Sequence, residues 1–287
     1  MLLLNNNRLH VLVYPNNETL LTDGPGSVTL TLPRGRLTVT LKFESNADLF
    51  HLALLRDHLR AHGRIPDLEI PYMPYSRADR SQEGSVFSLR TAVKLIAPLE
   101  WGTITIWEPH SEVTRQEFAN HGKGITVVNW TVDALPKVMR ELHWSLAYDT
   151  IVLPDAGAAE RYLEQTDIFR VANTISVTKE RNFTTGTIEK ITLPEGHYAA
   201  HRTSQALIID DLCSKGGTFV GTADLLREAG YQEVYLLVTH MEQVGYNRRL
   251  MDSVDGIYTS DSITPPEAAE NIHVLPYHLL QGELDNA

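Results

Sequence analysis

The sequence predicts an α/β protein with mostly parallel sheets. Strand-like and helix-like segments alternate along its 287 residues. Hydrophobic residues make up 43% of the chain and charged residues 21%, a globular balance. Arg77, His110, Asp155, Asp210, Asp211 and His240 gather at the carboxyl ends of the strand-like runs. That edge is where open α/β sheets bind ligands.

The elements follow in order. Residues 37–43 (LTVTLKF) alternate as a half-buried strand does. Residues 48–62 place Leu52, Leu55 and Leu59 on one helical stripe. Residues 68–75 (LEIPYMPY) are strand-like and run into the loop SRADRSQEGS, and 88–97 are helical. Residues 103–107 form a buried strand ending at Glu108, Pro109 and His110. A short strand, 150–153, ends at Pro154 and Asp155. Residues 207–209 and 234–238 are strands, with a helix over 218–229 between them. The polar stretch 176–195, which holds Lys179 and Arg181, reads as a mobile loop or a β-flap. Two domains are expected, 1–145 and 146–287, each long enough for a core of its own.

Composition narrows the function. With 25 basic and 36 acidic residues the formal charge is −11, which argues against nucleic-acid and anionic-membrane partners. An anionic substrate then needs local positive charge or a metal. Cys213 is the single cysteine, so no intrachain disulfide can form, and a reducing cytoplasm is expected. No run approaches the roughly 18 apolar residues of a membrane span. The opening MLLLNNNRLHVLVYP lacks the basic lead of a secretory leader.

The most informative stretch is ALIIDDLCSKGGTF, residues 206–219. Ile208 and Ile209 read as the end of a buried strand, with Asp210 and Asp211 at its carboxyl edge. Paired carboxylates there can accept hydrogen bonds from the two adjacent hydroxyls of a ribose. Gly216 and Gly217 allow a tight turn whose N–H groups can face a phosphate. Thr218 adds a hydroxyl at the start of a helix, whose N-terminus favours an anion. Sugar hydroxyls and phosphate together indicate a phosphorylated pentose. Cys213 reads as a spacer within this loop.

This stretch resembles the ribose-phosphate loop of the phosphoribosyltransferase fold, VDDxxxTGGT. Four more segments, in order, resemble ribose-phosphate pyrophosphokinase (PRPP synthetase): PYMPYSRADR (71–80), IWEPHSE (106–112), VLPDAGAAER (152–161) and SVTKERN (176–182). The resemblance covers about residues 30–280. It implies two phosphoribosyltransferase-like domains, each with a mostly parallel central sheet flanked by helices. It implies transfer of the β,γ-diphosphate of ATP to the anomeric hydroxyl of ribose 5-phosphate, with Mg²⁺. By the same resemblance Arg77, Asp79, Arg80 and His110 match ATP-binding positions, and His110 and Asp155 match the metal site. Lys179 and Arg181, with His110, match the catalytic set. Asp210 and Asp211 match the ribose ligands, and Ser214, Lys215, Gly216, Gly217 and Thr218 the 5-phosphate cradle. A homo-oligomer, dimer or hexamer, is implied too. The residue types suit the chemistry, because phosphoryl-type transfer asks mainly for positioning and charge neutralisation.

The chain departs from the family pattern in several places. Ser214 and Lys215 stand where the family has an aspartate and a threonine, which makes the loop more positive. That suits a 5-position carrying a diphosphate, as in ADP-ribose, and gives an alternative acceptor. Arg34 and Arg36 replace two acids of a segment that reaches the ATP base, and Ala78 and Ala158 replace an amide and a glycine. More distant alternatives are a base phosphoribosyltransferase and a non-catalytic regulatory relative.

Overall fold

The computed structural model describes residues 1–81, 84–163, 167–181, 188–194, 196, 204–263 and 271–278; for 170, 171, 179–181 and 188–190 it describes the backbone alone. The chain forms two compact units, Met1–Val128 and Asn129–Ala287.

The first unit runs β1 (Leu2–Leu4), β2 (Asn7–Arg8), β3 (His10–Val13), β4 (Thr19–Thr22), β5 (Thr38–Leu41), α1 (Ala47–Ala61), β6 (Asp67–Ile70), α2 (Ser88–Ile96), β7 (Ile104–Trp107), α3 (Val113–Asn120) and β8 (Thr126–Val128). Its sheet has the order β2-β1-β5-β6-β7-β8. The pairs from β5 to β8 are parallel; β1 joins antiparallel to β5, and β2, antiparallel to β1, forms the other edge. β3 and β4 form a separate hairpin. The expected leucine stripe is present: Leu52, Leu55 and Leu59 on α1 are fully buried. Each such burial stabilises the unit by about 2 kcal/mol. The strand expected over 68–75 stops at Ile70, and two prolines, Pro71 and Pro74, follow at once. Proline cannot donate to a ladder, so the chain leaves the sheet there.

The second unit runs α4 (Trp130–Glu141), β9 (Thr150–Leu153), α5 (Ala156–Tyr162), α6 (Ile168–Val171), β10 (Asn173–Ser176), β11 (Thr178–Arg181), β12 (Ile188–Thr192), β13 (Gln205–Cys213), α7 (Gly217–Glu228), β14 (Glu233–Met241), α8 (Arg248–Ser253), β15 (Gly256–Ser260) and β16 (Ile272–Leu275). Its sheet, β10-β9-β13-β14-β15-β16, is parallel throughout. Every residue of β9 and β15 is buried, as parallel strands covered on both faces require. The division between units falls earlier in the chain than 145/146 because α4 packs on β13 and β14. The stretch 176–195 contains the antiparallel pair β11–β12, the β-flap of the two alternatives.

Candidate active site

The residues expected to bind the sugar phosphate lie on β13, the turn after it and α7. β13 continues past Ile209 to Cys213, so both aspartates belong to the strand rather than following it. The register carries on as well, with Asp210 opposite Val238 and Leu212 opposite His240. The reason is local: Leu212 and Cys213 are buried, which holds the chain in the sheet for one more pleat. Asp211 is 3% exposed.

Both carboxylates meet Arg161, on the last turn of α5. Its Nη1 donates to Asp211 Oδ1 at 2.7 Å and to Asp210 Oδ1 at 3.3 Å. Asp210 Oδ1 also accepts from the backbone N–H of Asp211 at 2.9 Å. Burial and the neighbouring Asp211 push the Asp210 carboxyl well above the usual carboxylate range, against the pull of Arg161. Sequence reasoning missed Arg161, although it closes the quoted VLPDAGAAER segment.

The turn itself is built on one glycine. Gly216 has φ +78°, and a Cβ there would meet Leu250 Cδ2 of α8 at 3.0 Å. Gly217 has ordinary backbone and open space around its Cα. Asn247 at the start of α8 donates through Nδ2 to the carbonyl of Lys215 at 3.2 Å. The Lys215 side chain is exposed and Thr218 is half-buried. Ser214 Oγ donates to Glu242 Oε2 at 2.5 Å, which sets a carboxylate beside the phosphate turn. Sequence reasoning missed Glu242 too, since it sits four residues past the expected end of its strand. Burial, with Asp210 and Glu242 nearby, pushes the Cys213 thiol up to about 12. A thiol so held is no nucleophile at neutral pH, in keeping with a spacer.

Asp155 caps α5, with Oδ1 accepting from Ala158 N at 3.0 Å. That cap stabilises the helix by about 1 kcal/mol, and it occupies one of the two oxygens a metal would use. The backbone of Lys179 and Arg181 lies on β11, paired with Ile191 and Ile188 of β12. Their side chains lie outside the described ones. This hairpin packs on α7: a Cβ on Gly221 would meet Ile191 Cδ1 at 2.6 Å. The backbone bearing the two cations is therefore docked on the helix that starts at the phosphate turn. His240, at the end of β14, is buried and bonded through Nδ1 to Ser262 Oγ at 2.8 Å.

The ATP-binding candidates lie in the first unit. Met73 is buried in the core, Tyr75 takes φ +61°, and the Ala78 N–H bonds back to the Tyr75 carbonyl at 2.9 Å. Asp79 is 3% exposed and accepts from Ser111 Oγ at 2.6 Å and Arg80 Nε at 3.2 Å. Burial alone would raise the Asp79 carboxyl. The bonds from Ser111 and Arg80, with the charges of Arg80 and His110, hold it below the usual range. Asp79 thus ties the arginine loop to the His110 loop, while Arg77 and Arg80 are exposed and His110 is half-buried. Arg36 forms an ion pair with Asp67 at 2.6 Å, and Arg64 donates to the carbonyls of Pro33 and Gly35. The arginine-bearing stretch is held down on its own unit. A mostly apolar cavity of about 460 Å³ opens between α1 and α2, lined by Leu49, Phe50, Tyr75, Val86 and Leu95 among others. No cation lines it, so it offers nothing to a phosphate.

Among the described residues, no group of three or more His, Cys, Asp and Glu is placed to hold a metal. Mg²⁺ fits such a protein when substrate phosphates supply most of its ligands, with one or two from the chain. Among the described residues, no helix is long and apolar enough to cross a membrane.

The parallel sheet, the acidic strand end and the glycine turn into a helix define a protein of phosphoribosyltransferase-like fold. A phosphoribosylpyrophosphate synthetase structure from Mycobacterium smegmatis shares that fold, with a TM-score of 0.75 over 98% of this chain and 91% of that one, at 17% identity. Curated ribose-phosphate pyrophosphokinases resemble the sequence directly. The one from Pyrococcus abyssi is 26% identical over 88% of this chain and 85% of its own. The Pyrococcus furiosus protein is 28% identical over 79% and 77%. The Sulfurisphaera tokodaii protein is 27% identical over 68% of this chain, and the match spans 64% of that relative's length. No family model matches the chain. In sequence over most of its length, and in fold, the chain is thus similar to ribose-phosphate pyrophosphokinases, which are diphosphotransferases.

Proposed function

We propose that the chain transfers the β,γ-diphosphate of ATP to the anomeric hydroxyl of ribose 5-phosphate, giving PRPP and AMP. The observation that carries this reading is the sugar-phosphate set. Two carboxylates on one strand end, held by one arginine, are followed by a turn that only a positive-φ residue can make. In the reaction the anomeric oxygen forms a bond to Pβ, the bond from Pβ to the bridging oxygen of Pα breaks, and AMP leaves. The hydroxyl proton goes to solvent. No covalent enzyme intermediate is needed.

Each residue then has a role. Asp210 and Asp211 receive the ribose hydroxyls. The backbone of Gly216 and Gly217, with Thr218 and Ser214, receives the 5-phosphate. Arg77 and Arg80 bind ATP phosphates through the fixed fork geometry of guanidinium, and Asp79 positions their loop. Lys179, Arg181 and His110 neutralise charge on the transferring group. Mg²⁺, bound by phosphate oxygens with His110 and Asp155, would supply further charge neutralisation. We place the protein in the cytoplasm as a homo-oligomer, following the family resemblance and the single cysteine.

A second reading has its own observation. Lys215 is exposed at the turn, and the Glu242 carboxylate stands against Ser214. A carboxylate repels a doubly charged terminal phosphate more than a singly charged phosphodiester. The combination favours a 5-phosphate esterified further, as in ADP-ribose, which also has a free anomeric hydroxyl. The purified protein, given ATP and Mg²⁺ with each acceptor separately, distinguishes the two by product mass. Ribose 5-phosphate alone gaining a diphosphate supports the first reading, and ADP-ribose alone the second. On Lys215→Thr, ADP-ribose turnover should fall much more than ribose 5-phosphate turnover. Equal losses would remove the second reading's charge argument.

A further inference from the structure

We infer that Arg161 is a positioning residue for the ribose-binding aspartates, its guanidinium gathering two adjacent carboxylates into one receiving edge. The inference rests on the ribose role proposed for Asp210 and Asp211.

Neighbouring residues of a strand point to opposite faces. Asp210 and Asp211 are neighbours within β13, so their side chains should diverge. Instead both reach one nitrogen, Arg161 Nη1, at 3.3 and 2.7 Å. Asp210 is turned back to do so, since its Oδ1 also accepts from the Asp211 N–H. All three groups are withdrawn from water: 14% of the Arg161 side chain is exposed, with 15% for Asp210 and 4% for Asp211. Two buried carboxylates this close repel one another, and holding them together calls for a cation beside them. Arg161 is that cation, and its own placement is fixed. It projects from the last turn of α5, whose first turn is capped by Asp155, and its guanidinium lies 5.7 Å from the Tyr162 ring. Asp210 is the more open carboxylate and presents the acceptor edge, while Asp211 takes the shorter bond to Arg161. The arginine acts through the aspartates and need not touch the sugar.

The test separates this role from plain packing. For Arg161→Met the KM for the sugar phosphate should rise at least tenfold, with the KM for ATP within twofold of the parent. Because one nitrogen serves both carboxylates, Arg161→Lys should recover the sugar KM to within about threefold. Arg161→Met and Asp211→Asn combined should cost less than the product of the single losses. The inference is overturned by a folded Arg161→Met protein with parental sugar KM. It is also overturned if both KM values rise together with a fallen Tm and lysine gives no recovery, which is packing alone. If Arg161→Met does not fold, Arg161→Lys, Asp211→Asn and their double variant decide the coupling. If the parent protein forms no AMP at all, the proposed reaction has failed. Calorimetric binding of ribose 5-phosphate without ATP, parent against Arg161→Lys, then decides the arginine's role: unchanged affinity, or no binding by either protein, overturns it.

Discussion

The residues proposed for the sugar phosphate and those proposed for ATP are built on different principles. The first set sits in regular structure: two aspartates inside a buried strand, an arginine on a short helix, and a glycine clamped against α8. The second sits on a loop. Arg77 and Arg80 are exposed, and a single buried carboxylate, Asp79, ties them to the His110 segment. A site on strands is fixed by the fold's own core. A site on a loop is only as fixed as its anchors, so the two sets should fail differently.

The hairpin proposed to carry the catalytic cations belongs to neither set, and removing its charge should have the largest effect. Lys179→Ala should lower kcat by about 100-fold or more, the scale of losing one transition-state donor, with both KM values little changed. A loss confined to KM would move Lys179 out of the catalytic set.

Next comes the loop's anchor. Asp79→Ala leaves Ser111 and Arg80 without their shared acceptor and should cost about 1–3 kcal/mol of stability. It should raise the KM for ATP about tenfold and leave sugar-phosphate affinity alone. The sign with pH follows from the lowered Asp79 carboxyl. Its contribution is present above the unfolded carboxylate's value, near 4, and is lost as pH falls below it. Denaturation curves of parent and variant should therefore converge in acid. Equal damage to both substrates' KM would erase the contrast between loop and strand.

The two glycines sharpen the strand side. Gly216→Ala forces a side chain into positive φ and against Leu250, and should cost about 1–2 kcal/mol. Gly217→Ala, with ordinary φ and open space, should leave stability within about 0.5 kcal/mol. Thermal melts of the pair decide it, and equal losses would contradict the turn as described.

The smallest effect concerns Cys213. A thiol held up to about 12 stays protonated in the folded protein while the unfolded chain ionises near 9. Its contribution to stability is whole below pH 9 and declines as pH rises toward 12. Cys213→Ser should show a shallower decline over that window in urea titrations. Iodoacetamide at pH 8 should leave the native thiol unmodified.

What the sequence made legible follows the same division. The alternation of buried runs gave the parallel sheets, and VLPDAGAAER and the glycine turn marked where strands hand over to helices. The extra pleat of β13 was not legible, because an aspartate pair reads as the end of a strand unless Leu212 and Cys213 are known to be buried. Arg161 and Glu242 were invisible for a related reason: each matters through a partner 50 or 28 residues away, and no local pattern announces that distance. That Asp79 is turned inward to Ser111 was not legible either, because that partner lies 32 residues away. The hairpin's seat on α7 depends on an isoleucine over a helix glycine, a contact no periodicity predicts.

The central claim is diphosphate transfer, and its most direct measurement is the adenine nucleotide product. The purified protein would be incubated with ATP, Mg²⁺ and ribose 5-phosphate or ADP-ribose, and the mixture read by mass spectrometry and ³¹P NMR. The account predicts AMP in equal amount to a sugar that has gained two phosphates at its anomeric carbon. ADP with a singly phosphorylated sugar, or no nucleotide turnover with either acceptor, would contradict it.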